Sequence, residues 1–288
     1  MDPFGHADDL LNIRTAFHTG AYSTVIGSDL SSLTGSSRKL GELYIYRARL
    51  ATGQDPASIA KEITTSDSAS KAVKALAEYT AGATDKALKT IDALAASAAD
   101  AADPTVQVVG ATVLVRAERY EDALALLGNH ENNLEAVALL TQLYLHLNRT
   151  DLAKREVEQA KKWADDSIII QLADSWVNMR LGGNGYSQSF YLYEELSQTP
   201  STRTALTLTA LGVAHIHLSQ LEEARAAFDA ALEIDEKYED ALAGLAVCRA
   251  LEGKGAEGVK GLKVGREWEE MGRVFDEAAG KLPVNLVA

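Results

Sequence analysis

The sequence predicts an all-α protein made of stacked helical hairpins. One observation is compositional: of 288 residues 47% are apolar but only 6% are aromatic, there are five prolines, and alanine and leucine abound. Such side chains lose little rotamer freedom in a helix. A second is the scarcity of alternating β-branched runs. Ser167-Ile168-Ile169-Ile170 is the one stretch that suggests a strand, and it leads straight into the helical pattern of Gln171 to Arg180, so it reads as a helix start. The third is an internal repeat of small and bulky residues near the ~34-residue period of a helix–turn–helix unit. At this length roughly 75% of the unfolded surface can be buried, so neither metal nor disulfide is needed as a staple.

The clearest unit runs from Ala205 to Glu236. Counting Ala205 as position one, Leu208, Leu211, Gly212 and His215 fall at four, seven, eight and eleven, and Ala224, Phe228 and Ala231 at twenty, twenty-four and twenty-seven. These are signature positions of the tetratricopeptide repeat, with His215 replacing the usual aromatic and Glu236 standing where proline is common. Small residues at eight and twenty let two antiparallel helices approach at the close end of the ~8–10 Å interaxial range, and the bulky ones fill the space around that contact. Ser219-Gln220-Leu221 supplies the short link.

The other units follow in chain order. The first reads Ile13, Ala16, Phe17, then Gly20 to Val25, and the third has Ala75 before Ala87, Ile91 and Leu94. The fourth places Ala111 and Leu114 before Ala123 and Leu127. In the fifth, Val137, Leu140, Thr141 and Tyr144 precede Ala153, Val157 and Ala160. Position twenty is then Val25, Ser58, Ala87, Ala123, Ala153, Ser189, Ala224 and Gly258, with gaps of 33, 29, 36, 30, 36, 35 and 34, scattered about the expected period. Two units deviate. The sixth (Leu172, Ala173, Trp176, then Ser189, Tyr193) carries about four extra residues, assigned to a link at Gly182-Gly183-Asn184-Gly185. The eighth (Leu242, Leu245, Ala246) runs into glycine-rich sequence from Gly253 to Gly265, which weakens a second helix. The expectation is one repeat domain over 1–288, an α-solenoid of about eight hairpins in a curved or ring-like superhelix. Its last repeat and tail, from about 253 to 288, are irregular.

Charge and chemistry narrow the function. The net charge of −13 argues against nucleic acid or an anionic membrane as direct partner, and the basic pairs Arg38-Lys39 and Lys161-Lys162 read as solvated helix surface. The single Cys248 rules out an internal disulfide, suits a reducing compartment and reads as a small buried thiol. No apolar stretch approaches the ~20 residues of a membrane span. The acidic start Met1 to His6 lacks the apolar region of a secretory leader, so a cytoplasmic protein is expected. Neither Gly182-Gly183-Asn184-Gly185 nor Gly253-Lys254-Gly255 continues as a phosphate loop; the first reads as a tight helix–helix turn. His215 and His217 are two residues apart and cannot share a helix face, and there is no HExxH or CxxC, so no metal or cofactor is expected. His215 is expected to be a satisfied core histidine. The acidic pairs Asp8-Asp9, Glu121-Asp122, Asp165-Asp166, Glu194-Glu195 and Glu222-Glu223 mostly fall in links or outer helices, not in a converging site, which argues against an enzyme.

What remains is surface. The first helices of stacked hairpins form an inner wall that binds segments of other proteins. The register projects onto it Val108, Thr112 and Arg116; Ala138, Gln142 and His146; Ile170, Asp174 and Asn178; and Thr209, Val213 and His217. Small and polar side chains of this kind suit a peptide groove. The basic and asparagine clamp by which chaperone adaptors grip a C-terminal carboxylate is not evident.

Particular stretches go beyond a generic repeat. Asp8-Asp9-Leu10-Leu11 is followed by Ala16-Phe17-His18-Thr19-Gly20-Ala21-Tyr22, then by Leu43-Tyr44-Ile45-Tyr46-Arg47-Ala48-Arg49-Leu50-Ala51 and Leu147 to Lys154. The most distinctive run is Gln171-Leu172-Ala173-Asp174-Ser175-Trp176-Val177, then Gly182-Gly183, then Ser189-Phe190-Tyr191-Leu192-Tyr193-Glu194-Glu195-Leu196. From about residue 8 to about residue 250 the chain resembles the epsilon subunit family of coatomer, the COPI vesicle coat. Its tail departs, being glycine-rich where the family closes with a further helical segment. The resemblance implies a non-catalytic coat subunit holding the C-terminal domain of the alpha coatomer subunit in Golgi-to-ER retrograde and intra-Golgi transport. It implies contact with the remaining coatomer and with Golgi membrane only through the coat. A tetratricopeptide adaptor or co-chaperone for peptide segments is the alternative.

Overall fold

The computed structural model describes residues 10–254 and 261–281, which hold seventeen helices. They fall into two compact units, 1–202 and 203–288.

Unit 1 contains six hairpins. The first four pair α1 (Leu11–His18) with α2 (Tyr22–Ile26), α3 (Gly35–Ala51) with α4 (Pro56–Glu62), α5 (Ser68–Thr80) with α6 (Thr84–Ala96), and α8 (Pro104–Arg116) with α9 (Tyr120–Leu127). A single turn, α7 (Ala98–Ala101), precedes α8. The last two pair α10 (Leu134–His146) with α11 (Thr150–Ala164) and α12 (Ile168–Leu181) with α13 (Asn184–Gln198). Unit 2 contains the hairpin α14 (Ala205–His217) and α15 (Leu221–Ile234), then α16 (Glu239–Leu251) and α17 (Lys263–Lys281).

One local device makes most of these hairpins. The first helix ends in a left-handed residue at the centre of a three-residue link: Gly20, Gly82, Glu118, Asn148 or Ser219. The next amide reaches back five residues, as in Ala21 N to Ala16 O at 2.7 Å, Arg149 N to Tyr144 O at 2.7 Å and Gln220 N to His215 O at 2.9 Å. This is the Schellman closure, which satisfies an orphan carbonyl and reverses the chain. The second helix starts directly from that turn and needs no side-chain cap. Several first helices start after looser linkers and are capped: Asp67 on Ser70, Asp103 on Thr105 and Val106 ahead of Pro104, Asn133 on Ala136, and Thr204 on Thr207 in a capping box. The same closure ends α16 at Gly253, where Lys254 N bonds Arg249 O at 2.9 Å. Gly258, the expected position twenty of the eighth repeat, lies outside the described residues, as do His6 and Asp8-Asp9.

The expected small contacts are buried: Val25, Ala87, Ala123, Ala153 and Ala224 are fully enclosed, and Ser189 nearly so. Phe228 is fully buried in unit 2, where Gly212 of α14 and Gly244 of α16 face its ring. A Cβ on either would stand 2.6 Å or 2.4 Å from Phe228 Cε1. Cys248 is fully buried, and burial raises its thiol pKa.

Three expectations are corrected. Ser58 is exposed and Ile59 is buried in its place, because Asp55 and Pro56 fix where α4 begins and so set its phase one residue later. The four extra residues of the sixth hairpin do not lengthen its link. Between Ala173 and Ser189 they extend α12 and α13, while Gly182 and Gly183 make a link one residue shorter than the usual three. Both glycines have positive φ, of 79° and 59°, and Gly185 already lies in α13, so close to α12 that a Cβ would meet Asn178 O at 2.5 Å. His215 is half-buried and not a core residue; its Nδ1 lies 2.8 Å from Gln220 Oε1, across the link.

Candidate functional site

In unit 1 the candidate wall is formed by α8, α10 and α12. Along each, the projected residues pass from covered to open. Val108 is buried, Thr112 half-buried and Arg116 exposed; Ala138 is half-buried, Gln142 and His146 exposed; Ile170 is buried, Asp174 and Asn178 half-buried. On α14 in unit 2, Thr209 is buried and Val213 and His217 are exposed. Val108 and Ile170 belong to the apolar cores between neighbouring helices and offer no surface to a partner, and burial of Thr209 removes it too. A four-residue step tracks a helix face without reporting how far the next helix covers it, which is why the projection included them.

Side-chain bonds order the open positions. Arg116 reaches Thr80 Oγ1 at 3.3 Å, and His146 Nε2 lies 3.3 Å from Tyr120 Oη with the two rings 5.3 Å apart. Asp174 stands between Lys161 Nζ at 3.1 Å and Asn178 Nδ2 at 3.3 Å. These groups carry both signs and both donor and acceptor atoms, an arrangement suited to an uncharged or mixed polypeptide surface.

One group on this face was not found from the sequence. Glu135 lies three residues before Ala138, on the same side of α10, and is occupied by the chain's own N-terminal helices. Arg47 of α3 donates to its Oε2 at 2.9 Å, His18 Nε2 of α1 lies 3.1 Å from its Oε1, and the Tyr44 hydroxyl donates to Oε1. The Arg47 guanidinium stands over the rings of Phe17 at 4.6 Å and Tyr44 at 5.0 Å. Side chains of Arg47 and Glu135 are only 12% and 13% exposed, so the pair is desolvated. Burial by itself would raise the Glu135 pKa, but the charge of Arg47 and the hydrogen bonds from His18 and Tyr44 overcome it and hold the carboxyl well below its ordinary range. Burial, with the Glu135 charge next, pushes the Tyr44 hydroxyl far up, so it stays a neutral donor. α1 also packs against α12. Unit 1 thereby returns on itself, and one end of the wall is closed by a polar clasp. The available sequence signal was that Glu135 is the single ionised side chain in Leu134–His146, an otherwise uncharged helix apart from its terminal histidine.

No group of three or more histidine, cysteine, aspartate or glutamate residues suited to a metal occurs among the described residues. Stacked antiparallel hairpins with a partly open first-helix wall define a helical repeat protein of the tetratricopeptide class. Solved structures agree on that fold. A tetratricopeptide repeat protein from Parabacteroides merdae aligns over 85% of this chain and 88% of its own, with TM-score 0.54 at 12% identity. A chain of the APC/C hetero-tetramer Cut9-Hcn1 aligns over 88% of this chain and 51% of its own, with TM-score 0.58 at 13% identity.

The coatomer epsilon subunit family model matches residues 6–263, and the chain belongs to that family of non-catalytic COPI coat subunits. Among its relatives, the probable coatomer subunit epsilon of Schizosaccharomyces pombe is 34% identical over 240 residues, 83% of this chain and 79% of that one. Coatomer subunit epsilon-1 of Arabidopsis thaliana is 26% identical over 250 residues, 86% of this chain and 85% of its own.

Proposed function

We propose that this chain holds the C-terminal domain of the alpha coatomer subunit and so stabilises the outer layer of the coat in Golgi-to-ER retrograde and intra-Golgi transport. Membership of the epsilon family is the observation that carries this reading. The row Thr112, Arg116, Gln142, His146, Asp174 and Asn178 in unit 1 supplies the candidate contacts, and Val213 and His217 are a separate set in unit 2. Backbone and side chains of an extended or helical segment would find donors, acceptors and both charge signs there. The chain acts at the cytoplasmic face of Golgi membranes and COPI vesicles, reaching both through the coat. Among the described residues no helix is long and apolar enough to cross a membrane.

Co-expression with the C-terminal domain of an alpha coatomer subunit from the same source, followed by size-exclusion chromatography, tests this. A stable one-to-one complex is expected. Separate elution of two well-folded proteins would overturn it and return the function to that of a scaffold for other peptide segments.

A further inference from the structure

α17 is the one long helix of unit 2 that its own unit leaves bare. Its start rests beside α16, with Lys263 N 3.4 Å from Glu239 Oε2 and Gly265 buried, but every residue from Arg266 to Lys281 is exposed. The exposed residues include Trp268 at 73%, Phe275 at 71% and Met271 at 62%. Single apolar residues on a surface are ordinary, but these form a line. Val264, Trp268, Met271, Phe275 and Ala278 are spaced four, three, four and three apart. That alternation keeps one seam facing a neighbouring helix and is the spacing by which two helices pack side by side.

The flanks of the seam say which helix fits. Beside it on one side are Gly265, Gly272 and Ala279, seven residues apart, and on the other Glu267, Val274 and Lys281, also seven apart. Lay a second α17 antiparallel so that Met271 of one copy faces Phe275 of the other. Trp268 then faces Ala278, large against small, and Glu267 lies beside Lys281 of the other copy. Gly272 meets Gly272, which lets the backbones approach closely. A two-fold axis makes the Met271–Phe275, Trp268–Ala278 and Glu267–Lys281 contacts twice, with the Gly272 pair on the axis itself. Parallel pairing sets Trp268 on Trp268 and leaves Glu267 beside Gly272, with no opposite charge. Within its own helix Glu267 has only the loose contact with Lys263 at 3.7 Å, and Arg273 is engaged by Glu270 and Glu277 on the far side from the seam.

We propose that α17 is a self-complementary docking surface through which two copies of this chain associate as an antiparallel helix pair. The opposed sizes at Trp268 and Ala278 and the opposed charges at Glu267 and Lys281 set the direction. A single pair of helices of this length is a small interface, so the association is weak and rises with local concentration, as on a surface where many copies gather.

Sedimentation velocity of the full chain over a concentration series at low ionic strength tests this. A reversible monomer–dimer equilibrium is expected, weakened about tenfold or more by Trp268→Glu, because a seam aromatic anchors such a contact. Glu267→Lys alone and Lys281→Glu alone each place like charges across the pair and should weaken it about three- to tenfold. An equimolar mixture of those two variants restores opposite charges at both ends and should associate more tightly than either alone. A wild-type chain that stays monomeric throughout overturns the proposal, as does a dimer indifferent to Trp268→Glu. A mixture no tighter than its components overturns the antiparallel pairing. The charge variants keep the test open should Trp268→Glu disturb folding.

Discussion

Arg47 on α3 and Glu135 on α10, 88 residues apart in the chain, meet in a desolvated ion pair at 2.9 Å. Such a pair costs desolvation to form, so its net contribution is modest, but removing one partner strands the other charge. Glu135→Gln is therefore expected to lower stability by about 3–5 kcal/mol, read in a urea or thermal melt. Arg47→Met paired with Glu135→Leu should recover much of that loss, since neither charge is then left buried.

The same carboxyl makes stability depend on pH. Its folded pKa lies below its ordinary value of 4.5, so the unfolded chain takes up a proton first as the solution is acidified. The stability it contributes is complete above that ordinary value and declines as pH falls below it. Melts from pH 7 to pH 3 should show wild type losing stability more steeply below about pH 4.5 than Glu135→Gln does. Equal slopes would place the acid sensitivity elsewhere.

Ala153 and Ala224 sit fully buried where the second helix crosses the first. Leucine at either would overpack the crossing, and a loss of ~1–3 kcal/mol is expected in a denaturant melt. Gly244→Ala should also destabilise, because its methyl would run into the Phe228 ring on one side while Gly212 holds the ring on the other.

Glu118 and Ser219 take the left-handed turn with φ of 60° and 61°, where other hairpins use Gly20 and Gly82. Replacing either with glycine relieves a Cβ clash worth roughly 1 kcal/mol. Both variants should melt higher than the parent, in contrast to glycine placed at an ordinary helical position.

On the wall, Asn178→Lys is expected to impair binding of the alpha C-terminal domain more than Gln159→Lys, an equal change of charge on the exposed outer face of α11. Equal losses in a pull-down, with both variants folded, would argue against this wall as the contact.

The repeat was legible because its information is local. A small residue at position eight, an alanine at twenty and a turn between them lie within one unit, so Gly212, Ala224 and Phe228 announced a hairpin without knowledge of the rest. The strand-like Ser167 to Ile170 resolved correctly for the same reason: it opens α12. Where local signals compete, the repeat period alone misplaces residues. Pro56 set the phase of α4 and moved Ser58 outward, and Gly182 and Gly183 shortened a link that the residue count alone suggested was long.

By itself, then, the sequence determined the helical hairpins, their period, their small-residue crossings and the family. Only the tertiary structure decided that His18, Tyr44 and Arg47 would meet Glu135, that Val108, Ile170 and Thr209 would be covered while Asn178 stayed partly open, and that α17 would stand bare. Periodicity reports which residues share a helix face. It cannot report what stands opposite that face, since the opposing group is fixed by how the stacked hairpins of unit 1 turn back on one another, summed over about a hundred residues of small rotations.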